Sequence, residues 1–277
     1  MQHVGISRRR ILHWLARIAG GSAAAMAAPE AFARVLAPKA LPQPKPVPQK
    51  QFRVVLDPGH GGIDPGAIGV SGIYEKEIAF STVEELAKTL DATRRYTVVL
   101  TRTTDEFVEL EERVARARAA QGDLFLSIHA DAIPDSEVRG ASVFTLSEQA
   151  SDAEAAALAR SENSVDLLAG IDLSHHTPEV SSILLDLARR QTNNLSSAFA
   201  RRVVSELGRE VRMLNHSHRS AGFVVLKAPD VPSALVELGC LSNVQEEKEL
   251  RSDAYRKKLV ASLARAVHDY FDQLGAA

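Results

Sequence analysis

Residues 52–62 read FRVVLDPGHGG, and this stretch sets the pattern for the rest of the chain. A short run of mostly apolar residues ends in Asp57-Pro58-Gly59, which is a turn signal. A second run, LFLSI at 124–128, is apolar almost without interruption, as expected for a strand buried on both faces. Between these two strands, apolar residues recur from Glu75 to Leu90 with helical spacing.

Strand-like and helix-like segments continue to alternate along the chain. Further strands are predicted at 96–100, 141–145, 223–226 and 233–236, and further helices around 110–117, at 151–162, at 180–187 and at 253–271. This alternation predicts an α/β fold in a single domain, with a mostly parallel or mixed central sheet flanked by helices on both faces. In such sheets ligands bind beyond the carboxyl ends of the strands, so we expect the chemistry there.

The composition excludes several classes of protein. Of the 277 residues, 45% are hydrophobic and 25% are charged, which is ordinary for a globular protein. A formal net charge of −2 argues against a nucleic-acid-binding protein, and a mean hydropathy of −0.09 argues against a polytopic membrane protein. The single cysteine, Cys240, excludes an intramolecular disulfide framework and a metal site built from clustered cysteines.

The amino-terminal residues predict export. Arg8-Arg9-Arg10 precedes a weakly apolar stretch rich in Ala and Gly, and Ala31-Phe32-Ala33 matches a cleavage site. Residues 1–33 are therefore predicted to be a twin-arginine (Tat) signal peptide for the periplasm, too short and too weakly apolar to span a membrane. Residues 34–50, rich in Pro and Lys, are predicted to form an extended linker, and residues 51–277 the catalytic domain.

Three predicted strands end in or just before groups that can bind a metal or transfer protons: His60, His129 and Glu237. A helix start adds two more carboxylates, Glu75 and Glu77. Two histidines and one carboxylate are a common catalytic zinc set, and a further carboxylate can act as general base and acid. A single strand-end histidine is usually structural, but this combination at one edge favours a metal site. The spacing leaves the choice between the two helix-start glutamates open.

Four motifs carry a resemblance to a known family: VLDPGHGG at 55–62, EKEI at 75–78, SIHAD at 127–131, and VELG at 236–239 with LSN at 241–243. In this order they resemble the zinc-dependent N-acetylmuramoyl-L-alanine amidases of type 3 (AmiA/AmiB/AmiC-like). The resemblance implies that His60, Glu75 and His129 bind Zn²⁺ and that Glu237 is the catalytic acid–base residue. It also implies hydrolysis of the amide between N-acetylmuramic acid and L-alanine in peptidoglycan, for cell-wall remodelling and daughter-cell separation.

Residues 147–192 interrupt the strand rhythm and are predicted to form a helical insertion. One interpretation is a helix that simply docks on the core. The resemblance implies another, in which the insertion is autoinhibitory, occludes the zinc and is moved by an activator protein of the LytM-domain type. An acidic residue would then fill the open metal position; Glu162 is the candidate, with Glu148 and Asp166 as alternatives.

Two other functions are weighed against the zinc amidase. The first is a cysteine-type cell-wall peptidase that uses Cys240, but Leu238 and Leu241 flank this thiol and predict a buried, inert side chain. The second is a non-catalytic peptidoglycan-binding module, which would have no need of four converging chemical groups. Two arginines, Arg102 and Arg113, could contact carboxylates of a substrate, but pairing with the nearby glutamates Glu106 and Glu109 is the favoured prediction.

Overall fold

The computed structural model describes residues 51–168 and 183–276 of the chain, without the side chains of 167, 168, 183–188 and 276. The predicted signal peptide (1–33), the predicted linker (34–50) and the middle of the predicted insertion (169–182) lie outside the described residues.

Six strands and seven helices make up the described part of the chain. The strands are β1 (Phe52–Pro58), β2 (Tyr96–Leu100), β3 (Leu124–His129), β4 (Ala141–Leu146), β5 (Met213–Ala221) and β6 (Ser233–Glu237). The helices are α1 (Glu75–Asp91), α2 (Leu110–Ala119), α3 (Ala153–Asn163), α4 (Val165–Leu168), α5 (Ile183–Leu207), α6 (Val244–Leu250) and α7 (Asp253–Ala276). Within these residues, no helix is both long and apolar enough to cross a membrane.

The central sheet has its six strands in the order β2-β1-β3-β6-β4-β5. Neighbouring strands pair in parallel, except that β4 and β6 are antiparallel. The predicted α/β fold with a mixed sheet is therefore confirmed. Because β1, β3 and β6 lie side by side and run in the same direction, their carboxyl ends form one continuous edge.

Helices pack on both faces because the central strands are apolar on both sides. Successive side chains of a strand point to opposite faces. Val54 and Leu56 therefore belong to the core formed with α1, α5 and α7, whereas Val55 belongs to the core formed with α2 and α3. The two long helices on the α1 side of the sheet are in contact: the ring of Phe199 in α5 packs edge to face against the ring of Tyr270 in α7, with 5.3 Å between the ring centroids.

The predicted strand at 223–226 is wrong. Val224–Leu226 form a single 3-10 turn, and the side chains of Val225 and Leu226 are buried in the core beside α2. A short apolar run is buried equally well in a turn or in a strand, and periodicity cannot separate the two. The strand lies earlier, as β5, where the sequence is polar because an edge strand keeps many side chains partly exposed.

Other predicted boundaries shift without changing the fold. The last helix continues beyond the predicted end at 271 to Ala276. The helix predicted from 180 to 187 is described from Ile183 onward and runs to Leu207, so residue 192 falls inside α5. The helix predicted at 151–162 is α3.

Candidate metal centre and active site

The sheet register brings the strand-end residues together. His129 is the last residue of β3 and pairs with Glu237, the last residue of β6. On the other side of β3, Pro58 of β1 pairs with Ile128, which places His60 just beyond the same edge. Paired residues on neighbouring strands point to the same face of a sheet, so His129 and Glu237 lie side by side.

A tight turn directs His60 toward its neighbours. His60, Gly61 and Gly62 all have positive φ angles, of 57°, 130° and 57°. A Cβ atom on Gly61 would lie 2.3 Å from the carbonyl oxygen of Glu106, so a side chain is excluded there. The glycines after His60 therefore allow a conformation that other residues rarely adopt, and this conformation turns the imidazole back over the sheet edge.

Helix α1 supplies the carboxylate, and it is Glu75 rather than Glu77. Glu75 is the first residue of the helix and is buried, together with Ile78 and Ala79 three and four residues later. Glu77 points away and is exposed. Backbone N–H groups of Ala67 and Ala130 donate to the Glu75 carboxylate at 2.8 and 2.9 Å, and they fix its direction.

Three donor atoms converge at this edge: Nε2 of His60, Nδ1 of His129 and Oε1 of Glu75. Nε2 of His60 lies 3.1 Å from Oε1 of Glu75, and Nδ1 of His129 lies 3.0 Å from that oxygen. The two ring nitrogens are 3.1 Å apart. Such a group of lone pairs is repulsive unless protons or a cation lie between them, and it is the arrangement of a metal-binding site.

Glu162, near the end of α3, adds a fourth donor. Its Oε2 atom lies 3.6 Å from Nε2 of His60 and 3.3 Å from Nδ1 of His129. Ligands at 2.0–2.1 Å from a tetrahedral zinc ion are themselves about 3.3 Å apart. The donor separations at this site, from 3.0 to 3.6 Å, therefore fit Zn²⁺ in size and in donor type. The alternatives lie elsewhere: Glu148 is exposed, and Asp166 accepts a hydrogen bond from the N–H of Leu110.

Neighbouring groups set the tautomer of each histidine so that a lone pair faces the site. Nδ1 of His60 lies 2.7 Å from Oδ2 of Asp64, and because a carboxylate only accepts, that nitrogen carries the hydrogen. On the other ring, Nε2 of His129 lies 3.1 Å from Oγ of Ser127, which donates its own hydrogen to Asp57 at 2.6 Å. Nε2 of His129 must therefore be the donor, which leaves Nδ1 free to bind a metal.

The charges in the site act on one another. Burial raises the pKa of Glu75, but His60 and His129 outweigh burial and hold it well below its usual range. Burial lowers the pKa of His60, and the carboxylates of Glu75 and Glu162 reverse this shift. For Glu162 burial prevails, and its pKa is raised. The carboxylates of Glu75 and Glu162 thus favour a positive charge at the donor cluster, either a proton on the imidazoles or a metal cation.

Glu237 lies beside this cluster with one oxygen held and the other free. Its Oε2 atom accepts a hydrogen bond from the N–H of Asp131 at 2.9 Å. Its Oε1 atom is buried, and no described residue forms a hydrogen bond with it. Burial raises the pKa of Glu237 well above its usual value, and the carboxylates of Glu75 and Asp131 raise it further. A buried carboxyl group with a raised pKa and one free oxygen is suited to accept a proton and return it.

The prediction for the two arginines is wrong, because both guanidinium groups turn inward. Arg113 pairs with the buried carboxylate of Asp57, with Nη1 and Oδ1 2.8 Å apart, and donates to the carbonyl oxygen of His60. Arg102 donates to the carbonyl oxygens of Pro58 and Gly59 at 3.0 and 2.9 Å. Both arginines therefore support the turn that carries His60.

Cys240 is buried and free, as predicted. Burial raises the pKa of its thiol, and the carboxylates of Glu246 and Glu237 raise it further. A thiol in these surroundings stays protonated and is a poor nucleophile.

Sequence reasoning missed the residues that orient the donors, namely Asp57, Asp64 and Ser127. Each lies within a motif or turn already singled out, and a buried carboxylate next to a candidate ligand is itself a signal.

The chain is similar in sequence to proteins of one known family. The profile of the Amidase_3 family, described as N-acetylmuramoyl-L-alanine amidase, matches residues 54–269. The proteins named N-acetylmuramoyl-L-alanine amidase AmiC from Neisseria meningitidis serogroup B and Escherichia coli O6:H1 are 40% identical over 224 residues and 36% identical over 232 residues. These matches cover 79% and 83% of this chain but 52% and 55% of the relatives, so the chain spans about half their length.

Solved structures share the fold. The amidase AmiC2 of Nostoc punctiforme is 26% identical, with a TM-score of 0.56 over 81% of this chain and 99% of that chain. The catalytic domain of CwlV from Bacillus (Paenibacillus) polymyxa var. colistinus has a TM-score of 0.57, with 24% identity over 80% of this chain and 99% of that chain.

Proposed function

Because the chain belongs to the N-acetylmuramoyl-L-alanine amidase family, we propose that it hydrolyses the amide bond between N-acetylmuramic acid and L-alanine in peptidoglycan. We assign His60, Glu75 and His129 as the ligands of a Zn²⁺ ion, and Glu237 as the catalytic acid and base. One observation carries the proposal: three metal-binding atoms converge beside a buried carboxylate that has a free oxygen.

The metal and the protein divide the chemistry between them. Zn²⁺ polarises a carbonyl oxygen and lowers the pKa of water to about 7. The protein supplies the proton transfers. Oε2 of Glu237 is fixed by the N–H of Asp131, so Oε1 takes the proton from the attacking water and gives it to the amide nitrogen as the C–N bond breaks. Oε1 is buried and has no hydrogen-bond partner among the described residues, so it is available to hold that proton between the two steps.

The same proposal includes autoinhibition by α3. The carboxylate of Glu162 lies where a fourth ligand, water or the substrate carbonyl, would have to bind. The helix is held at its carboxyl end by Asn163, whose amide group bonds to the carbonyl oxygen of Gly222 and the N–H of Val224. An activator of the LytM-domain type would free the site by moving the insertion, residues 147–192, away from the sheet.

We further propose that the protein acts in the periplasm during daughter-cell separation. The basis is the sequence: the arginine triplet at residues 8–10, the Ala-rich stretch after it and the A-x-A site fit a Tat signal peptide at 1–33. Residues 34–50 then serve as a linker to the catalytic domain, 51–277.

The experiment is a measurement of peptide release from purified peptidoglycan together with zinc content. We expect one zinc per chain, loss of activity with EDTA, and recovery with Zn²⁺. Glu237→Gln should retain zinc and lose on the order of 10²- to 10⁴-fold in turnover. The matched control, Cys240→Ala, should remain active.

Other results would favour the alternatives. Activity that survives EDTA and is lost in Cys240→Ala would indicate a cysteine peptidase. Binding to peptidoglycan without any release of peptide, by Glu162→Gln as well as by the wild type, would indicate a binding module. Full turnover by zinc-loaded Glu237→Gln would remove this residue from the mechanism.

A further inference from the structure

A cavity of about 470 Å³ lies between α3 and the sheet, directly beside Glu237. Its walls are largely apolar and include Ile133, Pro134 and Leu158. Among the described residues that line it, Arg219 is the one cation. The carboxylates Asp131, Glu154 and Glu237 also line the cavity. A largely apolar cavity with one cation can orient an anionic group of a ligand through that cation.

Arg219 and Glu237 share a face of the sheet. Phe144 of β4 pairs with Arg219 on one side, and Ser142, two residues earlier on β4, pairs with Glu237 on the other. Residues two apart on a strand point the same way, so all four side chains point into the same cavity. Arg219 and Glu237 lie on the two strands that flank β4, and their partners on β4 are two residues apart. Their Cα atoms are therefore separated by two strand spacings and two residues, or about 12 Å.

The Arg219 side chain is fixed in position. The pairing of β4 with β5 is irregular between Ala141 and Val143, where Met213 and His218 are the successive partners, so extra residues of β5 bulge out. In this bulge His216 has a φ angle of 56°, and its carbonyl oxygen accepts a hydrogen bond from Nε of Arg219 at 3.1 Å. The guanidinium group is thereby oriented, and only 12% of the side chain is exposed.

Arg219 already binds a carboxylate in this structure. Its Nη1 atom donates to Oε2 of Glu154, in the first turn of α3, at 3.0 Å, and its Nε atom lies 3.7 Å from Oδ2 of Asp152. The carboxylate of Glu154 is 78% exposed, so this pair is not locked into the core and can be exchanged.

We propose that Arg219 binds the free α-carboxylate of the second residue of the stem peptide, the glutamate that follows L-alanine. This inference rests on the proposed amidase function. With the scissile amide at Glu237, an extended chain of two residues spans about 7 Å, which brings that carboxylate within reach of the Arg219 guanidinium. Glu154 then occupies the position of the substrate carboxylate, and α3 fills two substrate positions at once, one through Glu162 and the other through Glu154.

The test compares two substrates that differ by one charge: N-acetylmuramoyl-L-alanyl-D-isoglutamate and its isoglutamine amide. The ratio of kcat/KM for the two is measured within each full-length variant, so differences in zinc content or in autoinhibition cancel. The wild type should prefer the acid by on the order of tenfold or more, as expected for a charge-assisted hydrogen bond. Arg219→Gln should reduce this ratio to near one by losing activity on the acid alone, and Arg219→Lys should retain part of it.

Two further variants complete the design. Glu154→Gln, which removes one contact that holds α3 in place, should raise kcat/KM for both substrates by the same factor and leave their ratio unchanged. Arg118→Gln, an exposed arginine that pairs with Asp230 outside the cavity, is the matched control and should leave the ratio unchanged.

The outcomes separate this inference from the proposed function. An active wild type that does not distinguish the substrates, or an Arg219→Gln variant that keeps the wild-type ratio, would overturn the role of Arg219 alone. A zinc-loaded Glu162→Gln variant, which lacks the proposed inhibitory ligand, that releases peptide from neither substrate nor from intact peptidoglycan would overturn both.

Discussion

Oε2 of Glu162 lies 3.3 Å from Nδ1 of His129, a distance expected of two ligands of one metal ion. The two residues come from opposite sides of the site, since His129 ends a central strand and Glu162 lies on the helix that covers the strand ends. The contact therefore joins the metal centre to the insertion.

Replacing Glu162 should relieve inhibition. We expect Glu162→Gln to raise basal peptide release by about tenfold or more, because a neutral amide is a weaker zinc ligand and water can take the fourth position. Zinc content should stay at one per chain, since three ligands remain. Glu148→Gln, an exposed residue in the same insertion, is the control. A folded Glu162→Gln variant with unchanged or lower activity would argue against an inhibitory ligand.

Removing the side chains that orient the His60 and His129 rings should weaken metal binding. Asp64→Asn replaces an acceptor that fixes the hydrogen on Nδ1, and Ser127→Ala removes the acceptor beside Nε2 of His129. Each change should lower zinc affinity on the order of 10- to 100-fold. Competition with a chromogenic chelator measures this affinity without reference to activity. Asp135→Asn, an exposed carboxylate, is the control, and equal affinities in all these proteins would show that the tautomers are set in another way.

The Asp57–Arg113 pair should make stability sensitive to acid. Burial raises the pKa of Asp57, but Arg113, with Ser127 and Thr101, outweighs burial and lowers it below the usual 3.8. Because the folded-state pKa is the lower one, the pair stabilises the protein above about pH 4, and this contribution is lost as the pH falls through the folded-state pKa.

Urea unfolding of the metal-free protein between about pH 2 and pH 6 tests this. Below about pH 4 the group changes the unfolding free energy by up to about 1.4 kcal/mol per pH unit. Asp57→Asn should remove this slope and should also destabilise the protein by about 3–5 kcal/mol at neutral pH, because Arg113 is left buried without its partner. Asp91→Asn, at the exposed end of α1, should behave like the wild type. An acid-sensitive slope that persists in Asp57→Asn would assign it to other carboxylates.

Gly59 should tolerate no side chain. A Cβ atom there would lie 2.4 Å from Cε1 of His129, so the imidazole would have to move. We expect Gly59→Ala to bind zinc more weakly while its far-ultraviolet circular dichroism stays that of the wild type. Gly275→Ala is the control, since no atom lies within 4 Å of the added carbon. Wild-type zinc affinity in Gly59→Ala would mean that the ring has room to shift without loss of its ligand geometry.

Much of the fold follows from local patterns in the sequence. The runs at 54–56 and 124–128 are buried on both faces, as expected for strands of a sheet that is covered by helices on both sides. The run at 223–226 was predicted to be a strand because it is short and apolar, and these two properties do not distinguish a strand from a turn. The bulged edge strand β5 could not be recognised because it is polar and has no clear alternation.

Some residues of the candidate site could be predicted from the sequence, and others could not. The strand-end rule finds His60, His129 and Glu237. Spacing left Glu75 and Glu77 as alternatives, and their difference in burial appears only in the structure, where Glu75 lies on the side of Ile78. The partner of Arg113 could not be inferred from the sequence, because Asp57 is 56 residues away and the contact depends on how α2 docks. Local charge spacing instead suggested Glu109, whose side chain faces solvent at the helix start.

The three metal donors come from three separate elements: the turn after β1, the first residue of α1 and the last residue of β3. An unfolded chain cannot hold them together, so the free energy gained when the ion binds is also free energy of folding. The proposed Zn²⁺ ion would therefore cross-link the carboxyl edge of the sheet, and a chelator that removed it would lower the stability of the protein.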